Sequence, residues 1–374
     1  MNNKIAIFCF YDKDGIVDAY VEYLLDQLSL CVKKLVVVVN GSIKTEALPL
    51  LSKHTENIFI RENKGYDGGA YRDTILEYLK DEDWNLWDEL VLLNDTFYGP
   101  LYPWEKVFTK MEEVDADFWG LSRCLGIDRY TKKGRVCLPE HIQAFFIVCK
   151  KAMLTSTAFL EFWEDLEYPR NYDEAIEWFE VGFSKFFMKK GFRCKSYLEE
   201  VNPNLQLEHN EVLFLEKPGY LVKELGFPVV KKKAMALYCF NEAKDAYIYV
   251  KSNTEYDSSL ILQNLKRLDK ANQIKPFSPL LLEEFYKMHD KIYIYGRGNW
   301  SKGITEFFEY KGWKFEKYIV TENTCGFLDT INYRDVKFGN ADGVILALGE
   351  ENLNQVYKVV INDLSESQMF VPKY

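Results

Sequence analysis

The sequence predicts an α/β protein with a large, mostly parallel sheet flanked by helices and a smaller α/β unit at its C-terminal end. Three observations lead there. Short runs such as "KLVVVVN" and "ELVLLND" are apolar on both faces, as strands buried in a parallel sheet are. Segments with apolar residues at three- and four-residue spacing separate these runs, which is the β–α alternation of such a sheet. Polar turns, several containing glycine, follow the strands, on the edge where open α/β sheets take their ligands.

Taken in order, "IAIFCFY" is the first strand, and "DGIVDAYVEYLLDQL" a helix with Ile16, Tyr20, Tyr23, Leu24 and Leu28 on one face. "KLVVVVN" is the second strand, Leu48 to Lys53 a helix or loop, and "NIFIREN" the third strand. "GGAYRDTILEYL" is a helix and "ELVLLND" the fourth strand. "WEKVFTKMEEV" follows as a helix with Trp104, Val107, Phe108, Met111 and Val114 inward, and "ADFWGLS" is a further strand. Residues 121–140 read as a polar loop carrying Arg123, Arg129, Lys132, Lys133 and Arg135, either solvated or folded over an anionic ligand. "HIQAFFIVCKKAML" is a strand or the start of a helix. "DEAIEWFEVGFSKFFMKKG" is an amphipathic helix with Ile176, Phe179, Phe183 and Phe186 inward and Gly191 as its stop. The pattern places a first domain at 1–235, a helical connector at 236–289 and a second domain at 290–374, where "KIYIYGRGNWSKGITEFFEYKGWKFEKYIVTEN" repeats strand, glycine turn, helix and strand.

A length of 374 residues suits one large domain and one small one. The net charge of −10 argues against a nucleic-acid surface, where a basic stripe is expected. Eight cysteines fall singly with no C-x-x-C pair, so they read as reduced thiols of a cytoplasmic protein rather than disulfides or a zinc site. The opening "MNNKIAIFCF" runs straight into a strand without a signal-peptide pattern, and the longest apolar runs fall far short of a membrane span. A soluble chain is expected, compatible with docking on a membrane face and with self-association. Aromatic residues make up 16% of the chain, which suits clefts that stack rings on sugar faces, although an AT-rich coding sequence gives the same enrichment.

Asn40-Gly41-Ser42, Asn63 to Gly69 and Asn94-Asp95 each end a strand, so they are expected to converge on one cleft. Gly65, Gly68 and Gly69 permit positive φ or a close approach of backbone to a ligand. The alternative reading of this turn is a tight turn with a helix N-cap.

The motifs "NKGYDGGAYRD", "LLNDTFYGPLYP", "DFWGLS", "HIQAFFIVCKKAML" and "FEVGFSKFFMKKGF", in that order, resemble the rhamnan synthesis protein F family, bacterial glycosyltransferases of surface polysaccharide assembly. The resemblance covers roughly residues 3–230, and the family is similar in turn to the wider GT-A glycosyltransferases. It implies a GT-A-like fold and rhamnosyl transfer from a dTDP-rhamnose-like nucleotide sugar to a lipid-linked or oligosaccharide acceptor at the inner face of the membrane. The departing diphosphate needs its charge stabilised, which GT-A enzymes achieve with Mg²⁺ or Mn²⁺ on an Asp-x-Asp pair. The matching place is Leu93-Asn94-Asp95-Thr96, with one carboxylate instead of two; Mg²⁺ accepts one or two together with phosphates and water. Asp95 therefore reads as metal and diphosphate organiser, or else as the cap of the turn into "YGP". Donor contacts fall to Asn40, Asn63, Gly65, Asp67, Arg72 and Asn94: Asp67 toward ribose or base, Arg72 toward phosphate or paired with Asp73. An inverting transfer needs a base for the acceptor hydroxyl. Glu180 matches the family's position, with Glu177 in reserve and a solvated helix glutamate as the plain alternative. His141 and Gln143 suit acceptor hydroxyls, and a lone histidine in an apolar neighbourhood is equally a structural one.

The C-terminal "YGRGNWSKG" puts Gly296 and Gly298 after a strand, but Ser301 stands in place of the third glycine of G-x-G-x-x-G and the acidic residue comes late, at Glu322. The turn is similar to that of small Rossmann-like accessory domains. Readings of another class are a nucleotide-dependent oxidoreductase or epimerase run from this turn, or a non-catalytic partner in polysaccharide assembly.

Overall fold

The computed structural model describes residues 3–124, 126–131, 134–203, 205, 214, 217–236, 240–272, 279–321 and 326–372. The chain divides into two compact units, Met1–Leu213 with Leu225–Val229, and Phe214–Glu224 with Val230–Tyr374.

The first unit opens with β1 (Lys4–Phe10), buried along its whole length, and α1 (Ala19–Ser29). The side chain of Asp12 accepts the amides of Asp14 and Ile16 (3.0 and 3.1 Å), which holds residues after β1 in a turn. The helix therefore starts at Ala19, and Ile16 lies outside it rather than on its inward face. β2 (Lys34–Asn40), α2 (Leu48–Ser52), β3 (Ile58–Arg61), α3 (Tyr66–Asp73) and β4 (Glu89–Asn94) continue the alternation. Next come α4 (Trp104–Glu112), β5 (Phe118–Gly120) and a short β6 (Arg123–Cys124). The stretch expected as a loop forms an antiparallel hairpin, β7 (Ile127–Thr131) with β8 (Gly134–Leu138); Lys132 and Lys133 lie outside the described residues.

The stretch "HIQAFFIVCKK" is not one strand. It forms β9 (His141–Ile142), a turn, and β10 (Phe146–Lys150). The amide of Ile142 goes to Ser184 Oγ (2.9 Å) and that of Ala144 to Glu180 Oε1 (3.1 Å), so side chains satisfy backbone groups that a continuous strand would pair in the sheet. After α5 (Thr157–Asp165) a helix begins at Tyr172–Glu174, is wound as a π-helix over Ala175–Val181, and ends as α6 (Gly182–Lys189), followed by Gly191 at φ +93° and β11 (Cys194–Ser196). Phe183 and Phe187 are fully buried and Phe186 only partly, where the sequence pointed to Phe186.

Seven strands form one sheet in the order β11-β5-β10-β4-β1-β2-β3. β1 to β4 are mutually parallel, β10 is antiparallel to both β4 and β5, and β11 is parallel to β5. One face packs Ile5, Ile7, Cys9, Val36, Val38, Leu90 and Leu92 against Tyr71, Phe179, Phe183 and Phe187. On the other, Trp104 of α4 stacks on Phe146 with ring centroids 5.0 Å apart. The strands are covered on both faces, which is why their sequences run apolar without alternation.

The second unit carries helices α7 (Phe240–Asn253), α8 (Ser259–Asn272) and α9 (Pro279–Lys287), then β12 (Lys291–Tyr295), α10 (Asn299–Lys311), β13 (Tyr318–Val320), β14 (Thr330–Asn332), β15 (Asp342–Leu346), α11 (Glu350–Val360) and β16 (Met369–Phe370). Five of its strands form one sheet, all parallel, in the order β14-β13-β12-β15-β16. The helical stretch read as a connector belongs to this unit. Glu283 of α9 binds Lys244 of α7 at 2.7 Å and also Lys311 of α10.

Candidate functional site

The order β4-β1-β2-β3 sets four carboxyl ends side by side, with Cys9 opposite Asn94 and Asn40 opposite Arg61. β4 is buried throughout and ends on Asn94, which is buried with Asp95. Asn94 Nδ2 donates to Asp67 Oδ2 at 3.0 Å, and Asn94 Oδ1 accepts the Thr96 amide and hydroxyl at 3.2 and 2.7 Å. Asp67 Oδ1 accepts the amide of Gly68 at 3.0 Å in the first turn of α3. The Tyr20 hydroxyl, from α1, donates to Asp95 Oδ2 at 3.0 Å and lies 3.3 Å from its carbonyl.

The turn into α3 needs its glycines for two different reasons. Gly65 sits at φ +76°, where a side chain is strained, and a Cβ there would fall 2.6 Å from the Tyr168 ring. Gly68 lets α3 meet the π-wound helix, since a Cβ would fall 2.7 Å from Phe179. Between them Tyr66, not a glycine, takes φ +56°, a sparsely populated conformation that must be held by its surroundings. Asn40 supplies a hold. Its Nδ2 donates to the Tyr66 carbonyl at 3.1 Å while its Oδ1 accepts from Arg61.

Arg61 is the buried arginine of this edge, and the sequence reading did not single it out. It meets Asp73 at 2.6 Å through Nη2 and at 2.8 Å through Nε, and donates to the Lys64 carbonyl at 2.9 Å. Tyr168 donates to Asp73 Oδ1 at 2.7 Å. Arg72 donates to the Tyr168 hydroxyl (3.1 Å) and to Asp73 (3.3 Å), with its guanidinium 5.1 Å from the Tyr168 ring centre. Of the two roles open to Arg72, the pairing with Asp73 is the one the side chain adopts. Asn63 is exposed, beside Gly41 and near the ring of Tyr11.

Cys9, Tyr71 and Tyr20 report the local field. Burial, then the negative charge of Asp67 and Asp95, pushes the Cys9 thiol well above its ordinary range. Burial first, then Cys9, Asp67 and Asp95, does the same to Tyr71. Burial and Asp95 raise Tyr20, which keeps its proton on the hydroxyl that holds Asp95. The Tyr71 hydroxyl is fully buried and finds no hydrogen-bond partner among the described residues. Tyr20 and Tyr71 look like core residues in sequence. The available signal was chemical, because a tyrosine on a buried helix face brings a hydroxyl that wants a partner.

On the other side of the edge stands Glu180, half-buried on the π-wound segment, with Oε1 on the Ala144 amide. Single π turns inside helices are frequent at functional sites. Glu177 is exposed. Gln143 precedes that amide and accepts the Ser122 hydroxyl at 2.5 Å. His141 is fully buried in β9 with Nδ1 2.7 Å from the Pro139 carbonyl, which is the structural of its two readings. Arg123 pairs with Glu140 and, at 2.6 Å, with Glu199, so it is committed within the fold. Among the described residues no group of three or more His, Cys, Asp or Glu is placed to hold a metal ion. Among them, too, no helix is long and apolar enough to cross a membrane. The described cysteines, Cys9, Cys31, Cys124, Cys149 and Cys194, are free thiols, while the side chains of Cys137, Cys239 and Cys325 lie outside the described residues, as does Glu322.

Open α/β sheets take their ligands outside the carboxyl ends of their strands, and it is at that edge that the polar residues of this fold are gathered. Residues 35–296, over two thirds of the chain, match the rhamnan synthesis protein F family, and the chain belongs to it. The match extends past the N-terminal motifs into the second unit. A curated relative, "Uncharacterized protein y4gN" of Sinorhizobium fredii, is 25% identical over 195 residues, 51% of this chain and 48% of that protein. The chain thus spans about half the length of the curated relative it matches. Among solved structures, 4-diphosphocytidyl-2C-methyl-D-erythritol synthase is 15% identical with a TM-score of 0.33, covering 60% of this chain and 98% of that one. Core-mannan synthase A from Aspergillus fumigatus, in a Mn/GDP form, is 8% identical with a TM-score of 0.26, covering 52% and 73%. Likeness this loose carries nothing about site or activity.

Proposed function

We propose that the first unit is a glycosyltransferase that moves a hexose, rhamnose in the first instance, from a dTDP-rhamnose-like donor to a lipid-linked or oligosaccharide acceptor in bacterial surface polysaccharide synthesis. The observation that carries this reading is the gathering of Asn40, Asp67, Asn94 and Asp95 at adjacent strand ends of a chain in the rhamnan synthesis protein F family.

In this reading the nucleotide and diphosphate lie along the ends of β1 to β4. Asn40, Asn63, Gly65 and Asp67 face the nucleoside, with Asn94 and Asp95 toward the diphosphate. Arg72 shapes the turn through Tyr168 and Asp73. The oxygen donors at this edge fit a hard divalent cation, and the buried Tyr71 hydroxyl, one helical turn after Asp67 on α3, has no partner among the described residues and is open to a polar guest. Asp95 is the residue that would hold Mg²⁺ or Mn²⁺, which supplies positive charge against the departing diphosphate. Glu180 acts as base. It takes the acceptor hydroxyl proton as that oxygen bonds the anomeric carbon and the bond from carbon to the diphosphate oxygen breaks, inverting the centre. The Ala144 amide fixes the carboxylate for this task, and Gln143, next to that amide, orients the acceptor, with His141 at the start of the same segment. The work is cytoplasmic, at the inner membrane face.

Screening sugar nucleotides by thermal stabilisation, with and without Mg²⁺ or Mn²⁺, tests the reading. A specific donor at a hundred times its Kd adds about 2.7 kcal/mol of apparent stability. dTDP-rhamnose is expected to give the largest rise. If no nucleotide sugar raises the melting temperature and none is transferred or hydrolysed, the proposal is wrong.

A further inference from the structure

We infer that the carboxylate missing from the end of β4 is supplied by Asp67 of α3, so that Asp67 and Asp95 together form a two-carboxylate seat for one divalent cation, with Asn94 as the strut between them. The inference deepens the reading above and rests on it for the identity of the remaining ligands, the donor's diphosphate oxygens and water.

Asn94 stands where a strand carboxylate is expected, and it is a neutral amide that cannot serve as one. Its donor end instead grips Asp67 Oδ2 at 3.0 Å, and its acceptor end is fixed by the Thr96 amide and hydroxyl. The strand therefore holds a carboxylate that belongs to another element. The second anchor is the Gly68 amide on Asp67 Oδ1 (3.0 Å), and Gly68 is itself pinned by Phe179. Asp95 is oriented separately, by Tyr20 from α1. Asn94 and Asp95 are consecutive, and Cys9 lies opposite Asn94 in the register, so Cys9 and Tyr71 feel both carboxylates at once. Asp95 is buried and Asp67 half-buried, and a cation held by both carboxylates offsets the repulsion between them. The Tyr71 hydroxyl is the independent sign of a guest. It is fully buried one helical turn after Asp67 on α3, in the core cluster that holds Cys9, without a hydrogen-bond partner among the described residues, although buried hydroxyls are normally satisfied. A water on a cation held by Asp67 and Asp95 gives it one. Two carboxylates completed by phosphate oxygens and water are an ordinary Mg²⁺ ligand set.

The test is Mn²⁺ binding to the full chain, followed by electron paramagnetic resonance in the absence of any nucleotide. Asp67→Asn and Asp95→Asn should each weaken Mn²⁺ by about tenfold or more, while Glu161→Gln, an exposed carboxylate on α5, should leave it unchanged. Exchanging the pair, Asp67→Asn with Asn94→Asp, keeps the hydrogen bond and the charge and should restore binding to near that of the parent. Tyr71→Phe should lower Mn²⁺ affinity several-fold without lowering the melting temperature, which a purely structural hydroxyl would not do. A parent chain that binds no Mn²⁺, or an Asp67→Asn variant that melts as the parent does and binds Mn²⁺ equally well, overturns the pairing. Either result leaves the transferase reading to be judged by sugar transfer from dTDP-rhamnose.

Discussion

At the carboxyl edge of the first sheet a buried arginine, Arg61, is shared between Asp73 and Asn40, and carboxylates collect around buried hydroxyls. At the corresponding edge of the second sheet Arg297 is partly exposed. It binds Asp329 and, at 2.7 Å, Thr330, and lies 3.9 Å from the Phe327 ring centre. The first sheet is parallel over β1 to β4 and the second throughout, and both put a glycine turn between strand and helix. The difference is what the side chains do there. In the second unit the charge introduced by the turn is taken up by a neighbour in the same unit, whereas in the first a network of charges is built and rigidly held. A shared construction rule locates an edge; only the side chains decide whether that edge does chemistry.

The largest effect is expected of Glu180→Gln, which should cut sugar transfer by about 10² to 10⁴-fold while donor binding persists. An equal loss from Arg297→Ala, measured in the same transfer assay, would mean the two edges had been ranked in the wrong order. Next comes stability. Asp73→Ala strands the buried Arg61 charge and should cost about 3–5 kcal/mol by urea denaturation. Arg297→Ala removes an exposed pair and should cost at most about 1 kcal/mol. The smallest effect concerns Tyr20. Tyr20→Phe should cost about 0.5–1.5 kcal/mol at neutral pH, the net worth of a hydrogen bond. Because burial and Asp95 raise the Tyr20 hydroxyl above its ordinary value of 10.0, the folded state keeps a proton that the unfolded chain loses. That contribution is complete below pH ~10 and falls as the pH rises beyond it, so the parent should lose stability more steeply than Tyr20→Phe in alkaline urea melts.

The strands β1, β2 and β4 were legible because burial on both faces leaves an unbroken apolar run in the sequence. The convergence of Asn40, Asp67 and Asn94 followed from the rule for parallel sheets. What escaped was decided at long range. The break between β9 and β10 depends on Ser184 and Glu180 taking two amides from about forty positions away along the chain, and no local pattern announces that. Arg61 looked like the polar end of a strand, because its partners Asp73 and Asn40 reach it only once β2, β3 and α3 are packed. Tyr20 was read correctly as inward, but its hydroxyl's service to Asp95 needs the fold to bring α1 to the end of β4. Glu180 stood out by likeness to a family; the π winding that carries it has no sequence signature of its own.

That winding makes one stretch tolerant of a change in length at the expense of the site. A π turn holds one residue more than an α turn, so removing one residue between Ala175 and Val181 would let the segment relax to ordinary helical pitch and leave the helix on either side facing nearly as before. Phe183 and Phe187 would keep their places in the hydrophobic interior while Glu180 would lose its hold on Ala144, so a missing codon here would be felt at the carboxylate before it was felt in the core.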